Sequence, residues 1–298
     1  MTVSARYILL ALLLLLLFAC SDPDALDPAA HRLQVEAWQA DRLAGLTSEG
    51  GWLTLIALEW LEPGENTVRF DPRFSEGNLG TLVLEDRDGE PAVRLVPAPE
   101  SGLLLNGEPA EERYLATDAD RSPDILTRGE LEFFVIRREN RFGIRAKHPD
   151  ADAATNFSGL QYYPVDPAWR IEAEFVPYNE PRTIQVPSVI GTTSEGSVPG
   201  EVRFEVLGTK QSLLPLAGGP DDPTWFFVFR DGTSGKGTYP SGRFLVSEAA
   251  QNGRVVLDFN RAYNPPCAFT PFATCPLPPR ENRLGILVEA GEKDYGEH

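Results

Sequence analysis

The segment from Val255 to Arg283, VVLDFNRAYNPPCAFTPFATCPLPPRENR, constrains the fold more than any other part of this chain. Val255, Leu257 and Phe259 alternate with more polar residues, which predicts a strand with one buried face. The prolines that follow fix φ and remove amide donors, so neither a helix nor a ladder strand can continue through them. We therefore predict a strand followed by a stiff, extended strap on the protein surface. The prolines of this strap are Pro265, Pro266, Pro271, Pro276, Pro278 and Pro279.

Polar and aromatic side chains gather where the predicted strand ends, and two interpretations of them compete. In one, acidic and basic residues pair with each other and close the fold. In the other, they form one rigid wall of a ligand-binding cleft, in which arginine offers fork-shaped donors to a carboxylate or phosphate. The candidate ligand-binding residues at the strand end are Asp258, Asn260, Arg261, Tyr263 and Asn264.

A glycine-rich loop, DGTSGKGT from Asp231 to Thr238, supplies the other candidates. It does not match a phosphate-binding P-loop, because Arg230 stands where the first glycine is required and Gly237 follows the lysine. The flanking residues predict a hairpin loop between two strands, and loops held by a rigid sheet often carry function. We predict that this loop and the strap meet and form one pocket. The candidate ligand-binding residues of the loop are Asp231, Tyr239 and Arg243.

The strap contains two cysteines, Cys267 and Cys275, with seven residues between them. In an oxidising compartment, a disulfide between them would remove roughly 2–3 kcal/mol of loop entropy from the unfolded chain. The spacing is not that of a zinc site, and no histidine lies near the two cysteines in sequence. The sequence therefore predicts a disulfide, and it predicts no metal site and no cofactor.

The first 19 residues have the pattern of a signal peptide. Arg6 supplies the positive charge, and the apolar run from Tyr7 to Phe18 is too short to span a bilayer comfortably. The run ends in Leu17-Phe18-Ala19-Cys20, which resembles the lipobox of bacterial lipoproteins and implies a lipid anchor on Cys20. An ordinary signal peptide cut nearby is the alternative. Ser21 resembles the default for outer-membrane sorting, which implies a cell-envelope protein on the periplasmic face of the outer membrane.

The charge of the chain limits its partners. Without Arg6 the mature chain has 26 positive and 44 negative groups, a net charge of −18. Such a surface is repelled by nucleic acid and by anionic lipid headgroups, and no basic stripe offsets it. The predicted partners are the membrane, through the lipid anchor, and a small polar ligand or an envelope protein. No nucleic-acid partner is expected.

One amphipathic helix is predicted before the strands begin. Asp27 followed by Pro28 reads as an N-cap with proline at the first helical position. The apolar stripe that follows predicts a helix packed on the N-terminal half of the protein. The residues of this stripe are Leu33, Ala37, Trp38, Ala40 and Leu43.

The rest of the chain predicts a mainly all-β protein with two strand-rich, sandwich-like domains. Short apolar runs recur between turn residues, and 26 glycines and 26 prolines favour strands and turns over helices. The last of these runs, Leu284–Ala290, predicts a final strand. With an early Gly64-Glu65-Asn66-Thr67 turn and a late Asn106-Gly107, the first domain resembles a forkhead-associated sandwich without its phosphothreonine-binding loop. The predicted divisions are a signal peptide (1–19), a tether (20–27), the helix with the first sandwich (28–150), and a second β domain with the strap (151–298).

Three stretches carry a family resemblance: DFNRAYNPPCAFTPFATCPLPPRENR, DGTSGKGTYPSGRFL and GWLTLIALEWLEPGENT. With these, the chain resembles the bacterial family catalogued as domain of unknown function 1684, from about Trp38 to Tyr295. The resemblance implies that both strap cysteines belong to a shared signature. It implies little about chemistry.

Two classes of function remain open on the sequence. The first is a non-catalytic envelope lipoprotein whose second domain binds a small polar ligand or a partner protein. The alternative is a hydrolase that uses Asp231 and Asp258 as acid/base carboxylates, because two carboxylates about 5–10 Å apart can support glycoside hydrolysis. No histidine lies between residues 149 and 297, which excludes a Ser-His-Asp or Cys-His constellation made wholly within the second domain.

Overall fold

A computed structural model describes residues 27–219 and 222–296 of the chain. The predicted signal peptide and the anchor at Cys20 lie outside this part. The described chain is mostly β, with several antiparallel sheets and one long helix near the N-terminus, which confirms the predicted fold class. Within these residues, no helix is both long enough and apolar enough to cross a bilayer.

Helix α1 (Pro28–Leu46) begins where the sequence predicts, because the Asp27 carboxylate accepts a hydrogen bond from Ala29 N at 3.0 Å. Its buried face, however, is not the predicted apolar stripe. Leu33 is 66% exposed, whereas His31 and Val35 are buried. The helix makes its buried polar contacts with the C-terminal half of the chain rather than the N-terminal half. The prediction of its packing partner was therefore wrong.

The N-terminal half consists of two antiparallel sheets that pack face to face. Their strand orders are β1-β10-β9-β8-β5-β6 and β2-β3-β4-β7. Leu82 and Leu95 of one sheet and Phe133 and Ile144 of the other share a single buried core. The strands are β1 (Leu55–Trp60), β2 (Gly64–Val68), β3 (Gly80–Arg87), β4 (Glu90–Pro97), β5 (Leu104–Leu105), β6 (Glu108–Pro109), β7 (Arg113–Tyr114), β8 (Leu126–Arg128), β9 (Leu131–Arg138) and β10 (Arg141–Lys147).

The C-terminal half follows a short helix, α2 (Asp152–Thr155), and repeats the two-layer arrangement. A sheet of order β13-β12-β11-β16 packs on the hairpin β14-β15. Phe259 lies at the centre of this core, with its ring 5.5 Å from that of Phe229 and 5.8 Å from that of Phe204. The strands are β11 (Arg170–Pro187), β12 (Thr193–Val206), β13 (Thr209–Leu213), β14 (Thr224–Phe229), β15 (Arg243–Glu248) and β16 (Arg254–Asp258).

Strand β16 has the alternation that the sequence predicts. Val255 and Leu257 are buried, whereas Val256 is 38% exposed. The strand ends at Asp258, whose carboxylate accepts a hydrogen bond from Asn260 N at 3.2 Å and caps a 3₁₀ turn, Phe259–Arg261. The polar end of the strand is therefore a turn that presents its side chains at the edge of the sheet.

The proline-rich strap is not the surface element that we expected. Phe269, Thr270 and Ala273 are buried, and the strap contacts both halves of the molecule. Proline lacks an amide hydrogen, so a proline-rich segment enters the interior with fewer backbone donors that need a partner. The strap is a buried link between the two halves.

The predicted final strand over Leu284–Ala290 does not form. Backbone pairing of residues 284–290 is limited to its first half, where Leu284 N donates to Arg230 O and Ile286 O accepts from Gly232 N. Further on, the carbonyls of Val288 and Ala290 accept hydrogen bonds from the Arg243 side chain. A guanidinium has several donors in one plane, so it can serve carbonyls that would otherwise require a neighbouring strand. The side chain of Arg243 replaces part of a β ladder here.

Candidate functional site

A cleft of about 900 Å³ lies between helix α1 and the strands β11, β15 and β16. This volume is within the range typical of small-molecule sites. Trp38 and Asp41 of the helix form one wall, and the polar ends of β11 and β16 form the other. The remaining residues that line the cleft include Gln34, Arg42, Arg170, Glu172, Val246, Ser247, Glu248, Arg254, Val256, Asp258, Arg261 and Tyr263.

Three of the eight predicted ligand-binding residues line this cleft: Asp258, Arg261 and Tyr263. Asp258 lies directly opposite Arg170 in the antiparallel pairing of β16 with β11. Residues opposite each other in such a pair lie on the same face of the sheet, which explains why both reach the cleft. Arg170 was not among the predicted residues.

Asp258 is held by a buried histidine, His31, that is 227 residues away along the chain. Its Oδ2 lies 2.8 Å from His31 Nε2, and its Oδ1 accepts a hydrogen bond from Asn260 Nδ2 at 2.9 Å. The Arg261 Nε lies 3.5 Å from the same Oδ2. The carboxylate is thus committed to neighbouring side chains of the protein.

The signal for this contact is present in the helix sequence. His31, Val35, Trp38 and Arg42 follow one another at the spacing of a single helical face. A histidine and an arginine on the same face as an apolar residue indicate that this face meets buried acids. Apolar residues alone indicate a different face, and of that predicted stripe only Trp38 is partly buried.

The second acid that receives this face is Glu292, near the C-terminus. Its buried carboxylate accepts hydrogen bonds from Arg42 Nε at 3.0 Å and from Asn264 N at 2.8 Å. Burial raises the pKa of Glu292, and the Arg42 guanidinium and the Asn264 amide act against that rise. Gly291, at φ 76°, allows this close approach, because a Cβ there would clash with the carbonyl of Ala262.

The side chains of Asn264 and Asn260, both predicted for the ligand wall, lie in the interior. Asn264 Nδ2 donates to Lys293 O at 2.7 Å. Asn260 Nδ2 donates to Asp166 O at 2.9 Å, and Asn260 Oδ1 accepts from Asp166 N at 3.0 Å. Both amides bind backbone groups of neighbouring segments, so they fix the cleft wall from behind.

The glycine-rich loop places its candidates in a separate interior network. Asp231 Oδ2 accepts from Arg243 Nη2 at 3.0 Å, and both side chains are almost completely buried. Arg243 also donates to the carbonyls of Val288, Ala290 and Glu292. Burial lowers the pKa of Arg243, and the Asp231 carboxylate opposes this change.

Tyr239, the remaining candidate of the loop, is buried and donates its hydroxyl to Cys267 O at 3.1 Å. The loop and the strap therefore meet through this bond, but Tyr239 is buried in the contact and does not face a pocket of the kind predicted between them. Asp231, Tyr239 and Arg243 do not line the cleft beside α1. Their contacts bind the loop, the strap and the C-terminal segment to each other.

Among the described residues, the Arg170 guanidinium in the cleft has neither a hydrogen bond nor an ion pair, and Arg261 has only the 3.5 Å ion pair of its Nε with Asp258 Oδ2. The ring of Tyr263 borders the same space, with its centroid 6.2 Å from that of Trp38. An arginine fork binds a carboxylate or phosphate through two parallel hydrogen bonds, and an aromatic face accepts an apolar group. The cleft has the chemistry to hold a small anion with an attached apolar part.

One group of side chains has the composition of a metal site, away from this cleft. Ligand atoms of Glu130, His148 and Asp150 lie within 4.8 Å of one another. The His148 Nδ1 accepts a hydrogen bond from Asp150 N at 3.1 Å, so its lone pair is already used. Both acids are exposed, and we assign no metal to this group.

The predicted disulfide is not present in the structure, where Cys267 and Cys275 are separate thiols. Cys267 N donates to Cys275 Sγ at 3.2 Å, and the two side chains also share a hydrogen bond. The sequence spacing placed the two cysteines together correctly. It could not distinguish a bridge from a contact between thiols.

Fold and site together define a two-layer β protein with buried ion pairs and an arginine-lined cleft under an N-terminal helix. Residues 155–293 match the family model described as "Protein of unknown function (DUF1684)". The match covers less of the chain than the resemblance seen in the sequence, and the GWLTLIALEWLEPGENT stretch lies outside it.

A solved structure is also similar to this chain. It is the solution NMR structure of an uncharacterized protein of Haloarcula marismortui, with 31% sequence identity and a TM-score of 0.40. The similarity covers 48% of this chain and 80% of that one. No curated protein matches the chain.

Proposed function

We propose that this protein is a non-catalytic lipoprotein of the bacterial cell envelope that binds a small anionic ligand in the cleft beside α1. The observation that carries the proposal is the guanidinium group of Arg170, which lines the cleft without a partner among the described residues, next to Arg261, which has only its ion pair with Asp258. The planar fork of an arginine matches the geometry of a carboxylate or phosphate, so one of these groups is the expected complement of Arg170. A small polar ligand is preferred over a partner protein because the cleft is concave.

The aromatic residues suggest the rest of the ligand. Trp38 and Tyr263 stand beside the arginines, and Val246 and Val256 add exposed apolar surface to the same cleft. An anion with a ring or a short apolar chain would use both kinds of contact. Inorganic phosphate alone would use only the arginines.

The hydrolase alternative receives no support from these distances. Asp231 is buried against Arg243, and it does not line the cleft that Asp258 borders. Asp258 itself is bound by His31 and lies beside Arg261. Each acid is paired with a basic side chain, and the two acids lie in different places. This arrangement favours a structural role for both acids over acid/base catalysis.

Ligand binding is tested by thermal unfolding of the full chain in mild detergent with phenyl phosphate, phenylacetate, citrate and inorganic phosphate. A ligand at a hundredfold excess over its Kd adds about 2.7 kcal/mol to the free energy of unfolding. For a protein of this size the melting temperature should rise by roughly 5 °C. We expect phenyl phosphate or phenylacetate to give this rise, and Arg170→Met or Arg261→Met to abolish it.

The matched control is Arg203→Met, because Arg203 pairs with Glu201 on the exposed surface and does not line this cleft. This variant should keep the full shift. Trp38→Ala should reduce the shift with the aromatic probes to that seen with inorganic phosphate. The proposal would be refuted if no probe changed the melting temperature. It would also be refuted if the two arginine variants showed the same shift as the unsubstituted chain.

The proposed anchor places the cleft close to the membrane. The tether from Cys20 to Asp27 has eight residues, which span at most about 28 Å when fully extended. Helix α1, which forms one cleft wall, starts directly after it. A ligand delivered along the periplasmic face of the outer membrane would therefore meet the cleft near the lipid surface.

The anchor has its own prediction. Replacing Cys20 by Ser should move the protein from the membrane fraction to the soluble fraction of a Gram-negative cell, because no acyl chain can be attached. Metabolic labelling with a fatty acid and sucrose-gradient separation of the two membranes measure the result. A Cys20→Ser protein that still bands with the outer membrane would contradict anchoring through this residue.

A further inference from the structure

The strap cysteines lie where the two halves of the protein meet. Cys267 is in the 3₁₀ turn Pro266–Ala268 and is partly exposed, whereas Cys275 is buried. The backbone amide of Cys267 donates to Cys275 Sγ at 3.2 Å. Two sulfurs in direct contact, one of them reached by solvent, form a pair suited to thiol–disulfide exchange.

The two thiols differ in their proton affinity because of their contact. The Cys275 thiol donates a hydrogen bond to the Cys267 sulfur, which lowers the pKa of Cys267. The same bond, together with burial, raises the pKa of Cys275. Cys267 is the thiol that forms a thiolate first, and it is also the accessible one.

A cation from the other half of the protein faces this pair. Arg145 of strand β10 is buried, its Nη2 donates to Thr274 Oγ1 at 3.3 Å, and its Nε has no partner among the described residues. Burial lowers the pKa of Arg145 to about 10, so the guanidinium remains charged at neutral pH. Its charge contributes to the lowered pKa of Cys267.

We propose that Cys267 and Cys275 are a redox-active pair that exchanges electrons with a thiol–disulfide partner, with Cys267 as the attacking sulfur. The Cys267 thiolate attacks one sulfur of the partner disulfide, forms a mixed disulfide and releases the other partner sulfur as a thiolate. Cys275 then attacks the Cys267 sulfur and expels the second partner sulfur. The proton of Cys275 and one proton from water convert the two partner thiolates into thiols. The protein then carries one disulfide.

Arg145 shifts the equilibrium between the dithiol and the disulfide form of the pair. Its charge is favourable next to a thiolate and has no counterpart next to a neutral disulfide, so it stabilises the reduced pair. A stabilised reduced form makes the disulfide more oxidising. The disulfide predicted from the spacing of the cysteines is then the oxidised state of the pair rather than a permanent bridge.

The exchange is tested on the full chain carrying Cys20→Ser, equilibrated in buffers of defined glutathione ratio and followed by alkylation and mass spectrometry. We expect a reversible two-electron transition without denaturant. Arg145→Met should raise the equilibrium constant for disulfide formation about tenfold, which corresponds to about 30 mV towards more negative potential. Arg145→Lys, which keeps the charge, should stay closer to the unsubstituted chain.

Arg141→Met is the matched control, since Arg141 is exposed on the same strand and its guanidinium stacks on Trp60. It should leave the midpoint unchanged. In a Cys275→Ser chain, alkylation of Cys267 by iodoacetamide should remain pH-dependent, and Arg145→Met should move this profile to higher pH. The proposal would be overturned by a disulfide that forms or breaks only in denaturant. It would also be overturned if Arg145→Met changed neither the redox midpoint nor the pH profile of Cys267 alkylation.

Discussion

Replacing Arg243 by Met is expected to lower the free energy of unfolding by about 3–5 kcal/mol. This is the usual cost of removing one partner of a buried ion pair. The substitution would leave the Asp231 carboxylate buried without its cation. It would also remove the donor for the carbonyls of Val288, Ala290 and Glu292. Urea denaturation at neutral pH, followed by tryptophan fluorescence, measures the change.

Two further variants separate the charge from the hydrogen bonds. Asp231→Asn combined with Arg243→Met removes the orphaned charge, so the double variant should be more stable than the sum of the two single losses implies. Arg243→Lys keeps the charge without the planar fork and should give an intermediate loss. The surface pair offers a control, because Arg203→Met should cost less than about 1 kcal/mol. A loss that small for Arg243→Met would contradict the role assigned to it.

Local chemistry explains what could be predicted from the sequence. The N-cap at Asp27 and the buried face of β16 depend on residues close together in the chain, and both are present. Patterns of this kind extend over a few residues, and over that range the geometry of the backbone determines which secondary structure forms. The all-β class follows from many such patterns together.

Long-range pairing explains what could not be predicted. The partner of His31 is 227 residues away along the chain, and that of Arg42 is 250 residues away. No periodicity links residues so far apart. The same limit applies to Arg170, which enters the cleft only because β11 pairs with β16.

The candidate site was predicted in part, for a related reason. Strand alternation identified the polar end of β16 and hence Asp258 and Arg261, but alternation does not reveal which polar side chains another segment will cover. Asn260 and Asn264 are covered by the segments that contain Asp166 and Lys293, so their amides bind backbone groups instead of facing the cleft. Burial by distant segments is a property of the whole fold.

The second large effect is expected at the junction of helix α1 with the body. Replacing Arg42 by Met should lower the free energy of unfolding at pH 7 by about 3–5 kcal/mol, because Glu292 would keep a buried negative charge without its cation. Arg42 also donates to Asn264 O at 3.0 Å and lies over the ring of Tyr263. The variant therefore loosens the helix that forms one wall of the cleft, and hydrogen exchange of the α1 amides should become faster.

The pH dependence of this loss distinguishes a charge effect from lost packing. Burial already raises the pKa of Glu292 above its usual value of 4.5, and without Arg42 it should rise further. A carboxyl whose pKa is raised on folding favours the folded state below its unfolded pKa, and this stability is lost as the pH rises through the folded pKa. The Arg42→Met loss should therefore be small near pH 4.5 and grow towards pH 8.

Two companion variants complete the test. Glu292→Gln in the Arg42→Met background removes the charge and should abolish the growth of the loss with pH. Arg32→Met changes an exposed arginine on the same helix and should alter neither stability nor exchange by more than experimental error. If the Arg42→Met loss is the same at pH 4.5 and pH 8, the helix is held by packing against Tyr263 and not by the charge of Glu292.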